Sequence, residues 1–342
     1  MSSPPATPVS APRVAVIVPA YGVAHLLGEA LRSLQAQNFA AWECWVIDDG
    51  APDDVAGAVA PFLSDPRIRF LATDNRGVSC ARNRAIRASC APLVSLLDGD
   101  DKFKPDYLNT MVGVMESDSR LRLATCNARL FGAVPRERFC VEQSAEEPHP
   151  TSGSLADVLD RSFNVYIGST FRRADFDAIG GFDETMAQSE DFDFWVRLMM
   201  LGGTARYVDQ VLGDYRVRAG SASADGGRML LGNIKVYEKA ARTLDAQAPE
   251  QPLLRELIAT TRQALNFEHA VDHIIDGDTK RGLAALRDSH GQPVGFVWQA
   301  CLVLWQILPM LARPMLAWRR KAHSRGAMGL ALFHRRKAPS FE

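Results

Sequence analysis

Paired cysteines, a basic-then-apolar opening stretch and internal repeats are what this sequence lacks. Its six cysteines, Cys44, Cys80, Cys90, Cys126, Cys140 and Cys301, are scattered, and none forms a Cys-x-x-Cys pair. That spacing excludes the common zinc sites. Cys44 lies in an apolar run, where a thiol behaves as a small hydrophobe. The opening MSSPPATPVSAP has neither a basic n-region nor an apolar h-region, so it does not read as a secretory signal. Residues 1–12 read instead as a flexible lead. Reduced thiols without a signal lead us to expect a cytoplasmic protein. The basic C-terminal run has no interleaved aromatics apart from Trp318 and Phe333, which argues against nucleic-acid binding.

Charge is nearly balanced over the 342 residues, at a formal −1, but it is not evenly spread. From Arg313 onward there are eight Lys/Arg and one acid, Glu342, leaving a net of −8 on the rest. Such a tail suits an anionic surface. The 19 residues 294–312 carry no charge. Their length alone fits a membrane span. Gln299, Gln306, Pro309 and the adjoining Arg313-Pro314 favour a buried or interfacial helix instead. Trp298, Trp305 and Trp318 are of the kind found at a headgroup boundary. The tail therefore predicts peripheral attachment to the inner face of the cytoplasmic membrane.

Periodicity predicts strands at 13–19, 43–47, 67–72 and 93–97, separated by helices at 24–37, 53–63 and 78–89. This alternation predicts a mostly parallel sheet with right-handed crossovers. Next along the chain come a helix at 105–116, strand signals at 121–131 and 165–171, a helix capped by Ser189, and, within 204–218, two short strand signals around Tyr207-Val208 and Asp214-Tyr215-Arg216. Trp195 falls on that helix's core face. Residues 135–154 read as a polar surface loop. From about 227 the pattern is helical only, over 228–244, 253–275 and 280–288. The expected layout is a catalytic domain at 13–225, a helical extension at 226–292, and an apolar then basic segment at 293–342.

In open parallel sheets ligands sit beyond the carboxyl ends of the strands. Three features fall there: Pro19-Ala20-Tyr21, Asp48-Asp49-Gly50 and Asp98-Gly99-Asp100-Asp101. The last puts three carboxylates within four positions, where like charges raise each other's pKa unless something neutralises them. One chemistry for the cluster is a Mg²⁺ or Mn²⁺ site shared with substrate phosphates. Another makes Asp98 a phosphoryl-accepting nucleophile and Asp100 its acid/base, as in haloacid-dehalogenase-like phosphatases. Those enzymes expect Thr or Val where this chain has Lys102. The bland alternative is a capped turn. A second acidic site, Ser189-Glu190-Asp191, opens a helix, where negative charge is favoured.

The motifs VAVIVPAYG, WVIDDG, NRGVSCARNRAI and LVSLLDGDDKFKPDYL, then GGFDE, SEDFDFWVRL and YRVRAGSAS, resemble glycosyltransferase family 2 in order and spacing. The resemblance runs from about Arg13 to Ser223. It implies a GT-A fold: an α/β, Rossmann-like, mostly parallel sheet flanked by helices, here with a helical C-terminal extension. It implies an inverting, metal-dependent transferase using a nucleotide-diphosphate sugar, UDP-linked for preference. The acceptor would be a hydroxyl on a growing surface glycan or a lipid-linked sugar. A non-catalytic sugar-nucleotide-binding or scaffold protein on the same fold is the alternative.

The resemblance also implies residue roles. Tyr21 would stack on the base, and the backbone of Pro19 and Ala20 would pair with its edge. Asp49 would accept the base N–H, and Arg82 would approach base or phosphate. Asp98 would reach ribose or sugar hydroxyls. Asp100 would ligate Mg²⁺ or Mn²⁺ with Asp101 beside it. Asp191 would be the general base, and Glu190 would orient acceptor or sugar. Arg218 stands where the family often has His; it cannot ligate a metal but can grip the diphosphate. Ala51 replaces a frequent Ser, at the expected loss of one turn hydrogen bond.

Overall fold

A computed structural model describes residues 11–134, 138–142, 148–218, 226–288 and 296–318. Outside these fall most of the lead expected at 1–12, parts of the 135–154 loop, the end of the YRVRAGSAS motif, and the basic run from 319 onward. The chain divides into two compact units. One comprises residues 1–131, 137–158 and 163–216; the other comprises 132–136, 159–162 and 217–342.

The first unit is built on a sheet whose early strands pair in parallel. Its first elements are β1 (Val14–Ala20), α1 (Ala24–Gln35), β2 (Trp42–Asp49), α2 (Val55–Val59), β3 (Ile68–Thr73), α3 (Val78–Ala88) and β4 (Leu93–Leu96). β1 is central, with Val14 opposite Trp42 of β2 on one side and Leu93 of β4 on the other. Every residue of β1 but Pro19 is buried, as a continuous apolar run buried on both faces of a sheet requires. α1 turns Leu27, Ala30, Leu31 and Leu34 inward. These spacings are one helical face, so burying them fixes the helix against the sheet.

Beyond β4 the pairing changes hand. The later elements are β5 (Lys102–Phe103), α4 (Tyr107–Ser117), β6 (Leu121–Gly132), β7 (Arg138–Phe139), β8 (Ser152–Gly153), α5 (Leu155–Leu159), β9 (Thr170–Arg172), α6 (Arg173–Ala178), α7 (Glu190–Met200) and β10 (Thr204–Val217). The sheet order is β3-β2-β1-β4-β9-β6-β10-β5, with β9 antiparallel to both β4 and β6. The parallel half is thus the first four strands, and an antiparallel half is added to its edge. Two short strand signals near Tyr207 and Asp214 are one 14-residue strand, β10. The polar loop contributes two short pairing segments, β7 to β6 and β8 to β10. Trp195 is buried, in edge-on contact with Phe171 and Phe194, as its place on the helix face requires.

The second unit holds α8 (Gly226–Thr243), α9 (Gln251–Ile275), α10 (Thr279–Asp288) and α11 (Phe296–Ile307), then a 3₁₀ turn at Pro309–Leu311. Its core gathers Ala270, Val271, Ile274, Leu286, Trp305, Ala312 and Leu316. Trp305, expected at a headgroup boundary, is therefore buried. Its indole N–H points at Met315 Sδ, 3.3 Å away. Trp305 of α11 and, past the break at Leu308 and the 3₁₀ turn, Ala312 and Leu316 join the same core and complete it. Among the described residues no helix is long and apolar enough to cross a membrane.

Candidate active site

β1, β2 and β4 run parallel, so their carboxyl ends lie on one edge of the sheet. Each delivers one predicted feature there. At the end of β1, Ala20 is buried and Pro19 half-buried, while Tyr21 is 53% exposed. The turn that presents Tyr21 is held by Asp53, whose carboxylate accepts from the N–H groups of Gly22 (3.0 Å) and Ala24 (2.7 Å).

At the end of β2, Asp49 is buried and turned to the loop before α3. Its two oxygens accept from the N–H groups of Arg76 (3.0 Å) and Gly77 (2.9 Å). Gly50 makes this approach possible. Its φ is +62°, and a Cβ there would lie 2.6 Å from the backbone nitrogen of Asn75. The turn bond expected to be lost at Ala51 is supplied from elsewhere: the Asp48 carboxylate accepts from Ala51 N–H at 2.8 Å.

At the end of β4 the chain turns through Asp98-Gly99-Asp100-Asp101, closed by Asp101 N–H donating to Asp98 C=O at 2.9 Å. A Cβ on Gly99 would stand 3.0 Å from the carbonyl oxygen of Pro19. The acidic turn is thus laid directly on the Pro19-Ala20 end of β1. The three carboxylates separate by environment. Asp98 and Asp100 are half-buried, and Asp101 is buried. Asp101 Oδ1 accepts from Arg216 N–H at 2.7 Å, while its Oδ2 has no hydrogen-bond partner. Burial, then the charges of Asp98 and Asp100, push Asp101 well above the usual carboxylate range.

Arg82 links this turn to the second acidic motif. It is buried on α3, and donates to Asp98 Oδ1 at 2.9 Å and to Glu190 Oε1 at 3.2 Å. Burial opposes its charge, but Asp98 and Glu190 outweigh that and raise its pKa. The Arg82 fork thus engages protein carboxylates on both of its terminal nitrogens. Glu190 is pushed up by burial and by Asp191, with Arg82 working in the opposite sense. Asp191 is half-buried in the first turn of α7, its Oδ1 accepting from Phe192 N–H at 2.7 Å.

Ser189 precedes this helix in the left-handed region, at φ 55°, and its side chain makes no capping bond. The expected Ser cap is therefore absent. What orients the helix start is Asn83, next to Arg82 on α3. Its amide donates to Phe182 C=O (2.9 Å) and accepts from Phe182 N–H (2.8 Å), which clamps the Gly-Gly-Phe-Asp-Glu turn. Arg197 completes the clamp. It pairs with Asp193 at 2.7 Å and donates to Gly181 C=O at 2.7 Å.

Arg216, Glu29, Asp53 and Asn83 are site-forming residues that sequence reasoning passed over. Arg216 Nε donates to Asp100 C=O at 2.8 Å and its Nη2 to Glu29 at 2.9 Å. Tyr215 stands close to the acidic residues, its hydroxyl raised by burial and then by Asp101 and Asp98. Arg218 is exposed and belongs to the second compact unit. Among the described residues no three His, Cys, Asp or Glu side chains gather as a metal cage. The acidic turn nonetheless fits a hard cation of the Mg²⁺ type. It offers two neighbouring carboxylates, one with an unsatisfied buried oxygen, and such cations take their remaining ligands from water and phosphate.

A parallel half-sheet with acidic turns at its carboxyl edge, extended by antiparallel strands, is the architecture of GT-A glycosyltransferases. Two solved structures share the fold. One is residues 1–349 of S. aureus TarS in complex with UDP-GlcNAc, at TM-score 0.61 and 18% identity, covering 81% of this chain and 80% of that one. The other is the Pyrobaculum calidifontis mannosyltransferase in complex with GDP-Man and Mn²⁺, at TM-score 0.59 and 20% identity, covering 93% and 88%. Residues 15–179, just under half of the chain, match Glycosyl transferase family 2. Among curated relatives, the succinoglycan biosynthesis protein ExoO of Rhizobium meliloti is 30% identical over 220 residues, which are 62% of this chain and 63% of ExoO. An uncharacterized glycosyltransferase of Rickettsia conorii is 31% identical over 107 residues, only 18% of its length. The chain thus spans less than two thirds of either relative.

Proposed function

We infer that this protein transfers a sugar from a nucleoside-diphosphate donor, UDP-linked for preference, to a hydroxyl acceptor, with inversion, in the assembly of a surface polysaccharide. The observation that carries this reading is the Arg82 bridge. It brings the Asp98–Asp101 turn and the Glu190-Asp191 motif together at the carboxyl edge of the parallel strands. A relative named for succinoglycan biosynthesis, and fold neighbours holding UDP-GlcNAc or GDP-Man, support the substrate class.

Tyr21 is exposed and rigidly presented, so its ring is free to stack on a base. Asp49 already accepts two backbone N–H groups but keeps lone pairs for a third donor. Asp98, held by Arg82, would reach ribose or sugar hydroxyls. Asp100 and Asp101 would hold Mg²⁺ or Mn²⁺, with Asp101 also anchoring the turn to β10 through Arg216. When bound, such a cation supplies Lewis-acid stabilisation to a departing diphosphate. Asp191 is the general base: it removes the acceptor hydroxyl proton as the oxygen attacks the anomeric carbon opposite the leaving group. Glu190, tied to Arg82, orients acceptor or sugar.

The test is transfer and donor hydrolysis with a panel of UDP- and GDP-sugars in Mn²⁺, against EDTA and against Asp100→Ala. We expect activity with one donor class, lost in EDTA and in the variant. Full activity of Asp100→Ala, or in excess EDTA, removes the metal role. Donor binding with no turnover for any acceptor leaves the non-catalytic alternative.

A further inference from the structure

Arg216 is next to last in β10, and its side chain is only 15% exposed. It grips the acidic turn by the backbone as well as by a carboxylate. Its Nε donates to Asp100 C=O at 2.8 Å, and its own backbone N–H donates to Asp101 Oδ1 at 2.7 Å. Its Nη2 donates to Glu29 Oε2, on α1, at 2.9 Å. Lys102 of β5 reaches the same Glu29 oxygen at 3.2 Å. Both cations lie over the Phe131 ring of β6, Arg216 at 4.3 Å and Lys102 at 4.5 Å. Burial opposes the Glu29 charge, but Lys102 and Arg216 outweigh that and lower its pKa. Glu29 therefore stays ionised between two cations that flank the acidic turn.

A positive side chain beside a divalent-cation site weakens that site through like-charge repulsion. Arg216 nevertheless lays its guanidinium against the turn. Glu29, on the far prong of the fork, answers the charge, and what Arg216 then contributes is geometry. It fixes the peptide of Asp100 and, with its backbone, one oxygen of Asp101. The other Asp101 oxygen, which has no hydrogen-bond partner, is left for a ligand. Partners that orient metal ligands are typically worth about 10- to 100-fold in metal affinity.

We propose that Arg216 is a positioning residue: its fork presets the Asp100-Asp101 turn for a divalent cation, and Glu29 screens its charge from that cation. This rests on the reading of the turn as a Mg²⁺ or Mn²⁺ site. It gives Arg216 no contact with the nucleotide or its diphosphate.

Mn²⁺ titration of the full chain, followed by electron paramagnetic resonance of the free ion, tests it. UDP affinity by calorimetry, in Mn²⁺ and in EDTA, is the second readout. The variants are Arg216→Gln, Glu29→Gln and the two together, none of which removes the backbone N–H that donates to Asp101. Arg216→Gln should weaken Mn²⁺ binding about tenfold or more. Glu29→Gln should weaken it comparably, because two uncompensated charges then flank the turn. The double variant should lose little more than Arg216→Gln alone, well short of the product of the two losses. UDP affinity should fall with Mn²⁺ present and stay within about twofold in EDTA.

The sign of the Arg216→Gln effect is decisive. Removing a positive charge that acted only through its field would tighten Mn²⁺ binding, so tighter or unchanged binding overturns the proposal. An equal loss of UDP affinity in EDTA also overturns it, since Arg216 would then touch the nucleotide or merely hold up the fold. If Arg216→Gln does not fold, Glu29→Gln decides alone, its side chain being 39% exposed, and unchanged Mn²⁺ affinity there overturns the proposal. Native protein that binds no Mn²⁺, with or without UDP, removes the cation reading and this proposal together. That result is told apart from the others because it appears before any substitution.

Discussion

At the residue scale, the site turns on how four carboxylates are kept apart in character. Asp98 is neutralised by Arg82, Asp101 is buried with one oxygen unsatisfied, and Glu190 is raised by burial and by Asp191. Asp191 carries the proposed base, so Asp191→Asn should leave donor affinity within a few-fold and reduce transfer by about 10²–10⁴. Isothermal titration with donor, beside single-turnover transfer, checks this. Lost donor binding with intact chemistry would move Asp191 to the donor site. Glu190 gives a pH signature. Its folded pKa is raised above the ordinary 4.5, so the folded state binds this proton more tightly than the unfolded chain. Its contribution is fully present below about pH 4.5 and is lost as pH rises through the raised value. Glu190→Gln removes that slope. The melting temperature of the variant should gain on the native protein as pH rises from 4.5 towards neutrality. A parallel pair of melting curves would contradict it.

At the element scale, the acidic motifs are held by backbone clamps more than by helix propensity. Asn83 spans from α3 to the turn before α7 and satisfies both the N–H and the C=O of Phe182. Asn83→Ala leaves two buried backbone groups without a partner, which should cost about 2–3 kcal/mol by urea denaturation. Because the same turn leads into Glu190 and Asp191, transfer should fall more than donor affinity. Strands and helices of the parallel half were legible from apolar runs and their spacing, since each is stabilised by burying its own face. β10 was not legible as one strand: its centre is polar, and it is held by partners at distant positions. Asp214, for instance, takes Lys104 and Arg129 at 2.9 and 2.8 Å. Arg216 was missed for the same reason. Its bonds reach Asp100 and Asp101 across more than a hundred residues.

At the scale of the whole molecule, the two compact units divide the work. The first carries the acidic turns, and the second carries a helical core sealed by the apolar segment. Trp305→Ala should destabilise that core by about 3–5 kcal/mol. Hydrogen exchange should show the loss in α9 to α11, while stabilisation of the first unit by a nucleotide sugar persists. Unchanged protection in α9 to α11 would mean that Trp305 seals nothing.

The sequence by itself determined the class of fold and where its acidic turns fall. Both reside in short segments: an apolar run that must be buried, and the turn that ends it. Asp48-Asp49-Gly50 and the Asp98–Asp101 turn could be placed that way. Only the tertiary structure decided how these groups are paired and buried. Arg82 was expected to approach base or phosphate; that it pairs with Asp98 and Glu190, 16 and 108 residues away, only the fold decided. Trp305 looked like a membrane anchor until packing against α9 and α10 turned it inward. Periodicity records which side of an element is apolar. What that side meets is settled by elements far along the chain, through contacts that leave no local mark.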